Sequence, residues 1–247
     1  MTMKYYLSLF ILLSMHVLHA QEYKSAIYQA YLLDRMDNWK VVMDQMEQEY
    51  QRNSKPDLLF DLLVAEYGYT GWLVSGKEKK EADEHIKKAE MYMTLLAEQG
   101  LDDARVYALK GAFYGYKILL DPLKAPSLGK LSKEANAKAM EMNPEEPQVW
   151  LEKANIEYYW PAIFGKSKRK AVLSYEKAVE LFELSPERTR ENWVYLNCLA
   201  GLGIAYESTK NYSEAEKVYK KLLKLEPSFE WVKEDLYPQF QKKHPGK

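Results

Sequence analysis

Residues 199–227, LAGLGIAYESTKNYSEAEKVYKKLLKLEP, constrain the fold of this chain more tightly than any other stretch. Leu199, Leu202, Gly203 and Tyr206 recur at helical spacing, and Ala215 and Tyr219 do the same after a short polar turn. Small Gly203 and Ala215 let two helix backbones approach, while Tyr206 and Tyr219 fill the space around that contact. Pro227 has no N–H to donate and stops the second helix. A pair of antiparallel helices built this way cannot bury both its faces alone, so it has to stack on further pairs.

Further pairs are legible upstream. Trp39, Val42, Met43, Met46 and Tyr50 form one apolar stripe, and Ala82, Ile86, Ala89, Met93 and Leu96 form another. Leu131, Ala135, Ala139 and Met142 form a third, and Ala171, Val172, Tyr175, Ala178, Val179 and Phe182 a fourth. Each reads as the second helix of a hairpin whose first helix lies upstream, near 22–35, 56–72, 102–120 and 147–160, while 186–208 is the first helix of the best-matched pair. Pro56, Pro147 and Pro186 sit where a first helical residue can spare its N–H, and Ser213 with Glu216 predicts a capping box for the final consensus helix. Residues 229–237 read as a short helix covering the open end of the stack, ended by Pro238, with 241–247 a disordered tail.

The 199–227 pattern resembles a tetratricopeptide repeat, with Leu and Tyr where that consensus carries Trp and Phe. The resemblance implies an all-α, tetratricopeptide-like helical-hairpin solenoid of about five hairpins plus a C-terminal end helix, spanning 21–240. It also implies a concave groove lined by first helices, which in this family takes up a peptide segment or a helix of another protein. Carried over position by position, the groove-facing slots hold Arg105, Tyr116, Asn155, Tyr158, Tyr159, Asn197 and Glu207. The clamp by which some members grip a C-terminal carboxylate is not reproduced, since its slots hold Ala108, Ala112, Leu151, Asn155, Ala200 and Ile204.

Three hairpins are longer than the best-matched one, and the extra residues fall between their own two helices. TGWLVSG at 70–76, LLDPLKAPSLG at 119–129 and WPAIFGKS at 160–167 are expected as loops gathered at one edge of the solenoid, the usual place for elaborations that bind. Trp72, Leu123, Trp160, Ile163 and Phe164 are the candidates for a continuous apolar rim there; the other reading folds them back as small satellite cores over the hairpin ends.

The first twenty residues carry Lys4, an apolar core from Leu7 to Leu18 and a plausible cut at Ala20-Gln21, the pattern of a secretory signal peptide rather than of a membrane anchor, for which the core is short. The expected location is therefore periplasmic or secreted. A formal net charge of −1 gives no electrostatic reason to expect nucleic acid or an anionic membrane as partner. The lone Cys198 excludes an internal disulfide.

Catalytic and metal chemistry find little to work with. Beyond the leader only His85 and His244 remain, the first within the charged run KEADEHIKK and expected in a solvated ion pair with Glu81, the second in the tail. Gly165-Lys166-Ser167 lacks the first glycine and the preceding strand of a phosphate-binding loop, and the basic run Lys166, Lys168, Arg169, Lys170 reads as a solvated helix start. Glu157 and Glu207 are the one acidic pair that could face each other across a groove. The sequence thus predicts a non-catalytic exported scaffold, with no metal or cofactor, that binds another envelope protein or peptide segment. A glycan-binding module stacking sugars on Trp72, Trp160, Tyr158 and Tyr159 is the alternative.

Overall fold

The computed structural model describes residues 21–160 and 167–246. Residues 1–20, where a signal peptide is expected, and the expected rim residues Ile163 and Phe164, with Lys166, lie outside the described residues. Among the described residues ten long helices form five antiparallel hairpins: α1 (21–32) with α2 (Met36–Asn53), α3 (Pro56–Gly76) with α4 (Lys79–Glu98), α5 (Ala104–Leu120) with α6 (Ala125–Met142), α7 (Pro147–Tyr159) with α8 (Lys168–Phe182), and α10 (Trp193–Ser208) with α11 (Tyr212–Leu225). A single turn, α9 (Pro186–Thr189), precedes α10. The helical-hairpin solenoid expected from the sequence is the fold observed.

Composition divides the helices between layers. α3 and α10 bury side chains on nearly every face, from Leu58 to Leu73 and from Trp193 to Ala205, as helices at the centre of a fold must. α11 buries only Ala215, Val218, Tyr219 and Leu222, a single stripe facing inward from an outer layer. The close approach read from Gly203 is real: a Cβ there would stand 2.4 Å from the Tyr219 ring, which is fully buried.

The stack curves until its ends meet. Tyr31 of α1 packs on Trp193 of α10 at 5.6 Å and on Phe229 beyond α11 at 5.0 Å, and Trp39 of α2 meets Trp193 edge-on at 5.0 Å. The Tyr28 hydroxyl donates to Glu226 at 2.7 Å across the same seam. Tyr67 of α3 completes the interior, lying against Trp193, Phe113 and Tyr116.

Several sequence expectations need correction. The stretches 70–76 and 119–129 are not loops. The first lengthens α3 to Gly76, and the second is a 3-10 turn at Pro122–Lys124 leading straight into α6, because Leu73, Ile118 and Ala125 are buried and carry the helices outward. Ser213 makes no cap, since α11 already begins at Tyr212 behind Asn211. Pro238 does not end the terminal segment. A π-helical stretch, Trp231–Leu236, widens the backbone just before it, with the Tyr237 N–H bonded five residues back to the Val232 carbonyl, and α12 (Tyr237–Lys243) follows with the proline in its first turn, where no N–H is needed. The tail expected at 241–247 is accordingly part helix: Phe240 anchors it and His244 stacks on Tyr212 at 4.1 Å. His85 is not solvated. α4 turns it inward, where its Nδ1 lies 2.6 Å from the buried Glu66 carboxylate of α3, and its Nε2 is 3.9 Å from Glu81.

Candidate functional site

First helices α1, α3, α5, α7 and α10 all start on the same side of the closed stack, so their opening turns surround one mouth. A cavity of about 260 Å³ opens there. α1 contributes Tyr23, Lys24 and Ile27; α3 contributes Phe60, Asp61, Val64 and Ala65; α5 contributes Arg105 and Leu109; Glu146 and Gln148 come from the start of α7, and Asn192, Trp193 and Val194 from the start of α10. Apolar residues form the floor because the same positions feed the core, and charged ones form the wall because helix starts call for caps.

Those caps are explicit. Asp103 accepts from the Arg105 and Val106 amides at the start of α5, Glu146 from the Gln148 amide at the start of α7, and Asn192 from the Val194 and Tyr195 amides at the start of α10. Arg105 holds Asp103 through Nε and Nη2 at 3.0 and 2.6 Å and lies over the Phe60 ring at 4.2 Å. Lys24 pairs with Asp61 at 3.2 Å. Burial nevertheless raises the Asp61 carboxyl above its ordinary pKa, against the opposing pull of Lys24, and burial raises Glu146 as well, so neither carboxylate is fully compensated in the mouth.

Beneath the floor lies a buried polar chain. Gln148 donates its amide to Glu152 at 2.6 Å, and Asn155 donates to the other Glu152 oxygen at 3.0 Å while accepting from the Tyr175 hydroxyl at 2.6 Å. Burial pushes Glu152 up to about 7 despite the hydrogen bonds it accepts from Asn155, Tyr67 and Gln148.

Of the residues expected to line a groove, Arg105 alone reaches the mouth. Tyr116 donates to the Tyr67 carbonyl at 3.2 Å inside the core, Asn155 belongs to the buried chain, and Asn197 accepts from Tyr31 across the seam at 3.3 Å. The α12 end segment covers Glu207, which meets His244 at 3.1 Å, and Glu157 takes Lys153 and Ser174, so these two acids serve separate partners. Tyr158 and Tyr159 contact each other edge-on at 4.8 Å, with Tyr159 55% exposed. Tyr116, Asn155, Tyr158, Asn197 and Glu207 are thus half-buried and engaged within the protein, while Tyr159 stays exposed. On the expected rim, Leu123 is 90% exposed and Trp72 is 43% exposed beside Tyr69, but Trp160 is only 8% exposed, with Gly129 against its ring and Lys133 over it at 4.3 Å. Lys168 of the basic run lies over the Tyr158 ring at 5.7 Å.

Sequence reasoning missed the mouth because no motif marks it. The one available signal was the recurrence of Asp or Glu at the first turn or cap of successive first helices, namely Asp57, Asp103 and Glu146. Among the described residues no group of three or more His, Cys, Asp and Glu is placed to hold a metal ion, and no helix is long and apolar enough to cross a membrane.

Residues 197–229 match the tetratricopeptide repeat family. No curated protein matches the chain. Among solved structures, the HusA haemophore from Porphyromonas gingivalis has a similar backbone, with a TM-score of 0.62 and 20% identity over 76% of this chain and 94% of that one. At that identity the likeness speaks to the fold alone.

Proposed function

We propose that this tetratricopeptide repeat protein is an exported binding protein without chemistry of its own, and that it receives a projecting group of an envelope protein in the mouth at the start of its first helices. The observation that carries this reading is the contrast between interior and mouth. Tyr31, Tyr67, Trp193 and Tyr116 pack on one another in the interior, whereas the mouth is open, with an apolar floor and charged wall contributed by five helices. At about 260 Å³ the cavity falls below the roughly 300–1,000 Å³ of sites for drug-sized ligands, and suits one side chain of a partner. The glycan alternative loses support from Trp160, whose ring is buried, with Gly129 and Lys133 against it.

Capture from the native cell envelope tests the proposal, with the protein and its Val64→Trp variant as parallel baits. Val64 is half-buried on the mouth lining, so a larger side chain there fills the cavity. A protein retained by the first and lost by the second, at equal melting temperature, supports the reading. Equal retention refutes it. Haemin is titrated against both as a separate arm, because the structural neighbour is a haemophore. An absorbance change that Val64→Trp abolishes replaces the protein partner with a haem.

A further inference from the structure

We propose that the edge opposite the mouth docks on the surface of a bilayer that contains anionic lipids. That edge is made by the ends of the first helices and the starts of the second ones. It is continuous across the middle three hairpins. A Cβ on Gly71 of α3 would stand 2.8 Å from the Tyr116 hydroxyl of α5, Trp160 lies against Gly129 of α6, and Lys168 of α8 lies over the Tyr158 ring of α7. Two properties coincide along it. The first is exposed apolar surface: Leu123 stands on the 3-10 turn after α5 at 90% exposure, Leu119 is exposed in the last turn of α5, and Trp72 and Tyr159 are exposed at the ends of α3 and α7, the helices on either side.

The second property is charge. Residues 77–81 and 167–170 carry Lys77, Lys79, Lys80, Lys168, Arg169 and Lys170, all exposed and none in an ion pair among the described residues. Only Glu78 and Glu81 oppose them there, and Lys40 already holds Glu81. This placement runs against the helix dipole, which favours acids at a helix start. Lys79 and Lys80 open α4, and Lys168, Arg169 and Lys170 open α8, whose first turn holds no acid. The mouth-side starts follow the rule instead, with Asp57, Asp103 and Glu146. Cations set where they oppose their own helices are accounted for by an anionic partner. The formal net charge of −1 conceals this division between the two edges.

The mixture of the two properties selects a bilayer over a soluble polyanion. At a lipid interface Leu119 and Leu123 can enter the acyl boundary while lysine stems lie along it and their ammonium groups reach the headgroups. A soluble polyanion would pair with the lysines and leave both leucines in water. Docked by this edge, the protein turns its mouth away from the lipid, so the proposal stands apart from the reading of the mouth.

Co-sedimentation with vesicles tests it, using phosphatidylcholine alone and an equal mixture of phosphatidylcholine and phosphatidylglycerol. Each variant carries the same residues 1–20, so differences between variants report the edge alone. The protein is expected to partition onto the mixed vesicles at least about tenfold more strongly than onto the neutral ones, and to leave them as salt is raised. Lys79→Gln combined with Lys168→Gln is expected to weaken that binding about twentyfold, since each cation near an anionic surface contributes roughly fivefold. Leu123→Asp, at a site too exposed to disturb folding, is expected to weaken it about tenfold. Equal partition onto both vesicles, partition onto neither, or binding that the lysine pair leaves unchanged overturns the proposal. Unchanged binding by Leu123→Asp, with equal affinity for soluble polyglutamate, overturns the bilayer in favour of an acidic macromolecule. Val64→Trp is expected to partition as the parent does, so the mouth and the docking edge can each fail without the other.

Discussion

Two residues of this chain carry consequences out of proportion to their size. Gly203 admits Tyr219 so closely that Gly203→Ala forces a Cβ into a ring that is fully enclosed and cannot swing away. Overpacking of this kind costs about 1–3 kcal/mol, and a lower urea midpoint with an unchanged slope is the expected result. Glu152 is the other. Its folded pKa of about 7 lies above the ordinary 4.5, so the folded state holds a proton that the unfolded state releases. The stability that this proton contributes is complete below about pH 4.5 and is lost as the pH rises through 7. Glu152→Gln carries no such titration. Relative to the parent it is expected to gain up to roughly 3 kcal/mol on going from about pH 4.5 to pH 8, the free energy of a one-proton difference that lasts from about pH 4.5 to about pH 7. Urea unfolding of both proteins at the two pH values measures the difference, and parallel pH profiles would rule it out. Gly203 was legible in the sequence because the repeat pattern demands a small residue there. Glu152 was not, since nothing in LEKAN announces a carboxylate turned inward.

Helix ends show the same contrast at the scale of elements. α4 stops at Gly100, with φ +80°, the Leu101 N–H reaching the Leu96 carbonyl and the Gly100 N–H the Ala97 carbonyl. α10 stops with the same pair of bonds, Asn211 to Tyr206 and Lys210 to Glu207, yet the left-handed position is held by Lys210 at φ +65°. Lys210→Gly is expected to stabilise the protein by roughly 0.5–1 kcal/mol by relieving that conformation, read as a rise in melting temperature. Hairpin boundaries were therefore easy to place where glycine or proline marks them and hard elsewhere. Lengthened segments were misread for a related reason. Polar and small residues in TGWLVSG resemble a loop in isolation, but Leu73 is held in the core and draws α3 a further turn. The candidate site suffered most, because its wall comes from five helix starts far apart in sequence, and its floor is indistinguishable from core.

At the scale of the whole molecule, the meeting of Tyr28, Tyr31 and Trp39 with α10 and the segment after α11 binds the first hairpin to the last. Cys198 sits within this joined core, fully buried, and burial raises its thiol far above the ordinary range. It is expected to resist a thiol reagent in the native state and to react at the rate of global unfolding; rapid labelling without denaturant would show that the seam opens on its own. An open array of repeats melts piecemeal, because each unit answers only to its neighbours. Here the two ends share contacts, so loss of either removes the cover from the other. Seen as a product of duplication, such a chain has a fixed count: a sixth hairpin inserted anywhere in the stack would part Tyr31 from Phe229 and Tyr28 from Glu226. An open stack can grow by copying a unit, whereas this one can change only within the five it has.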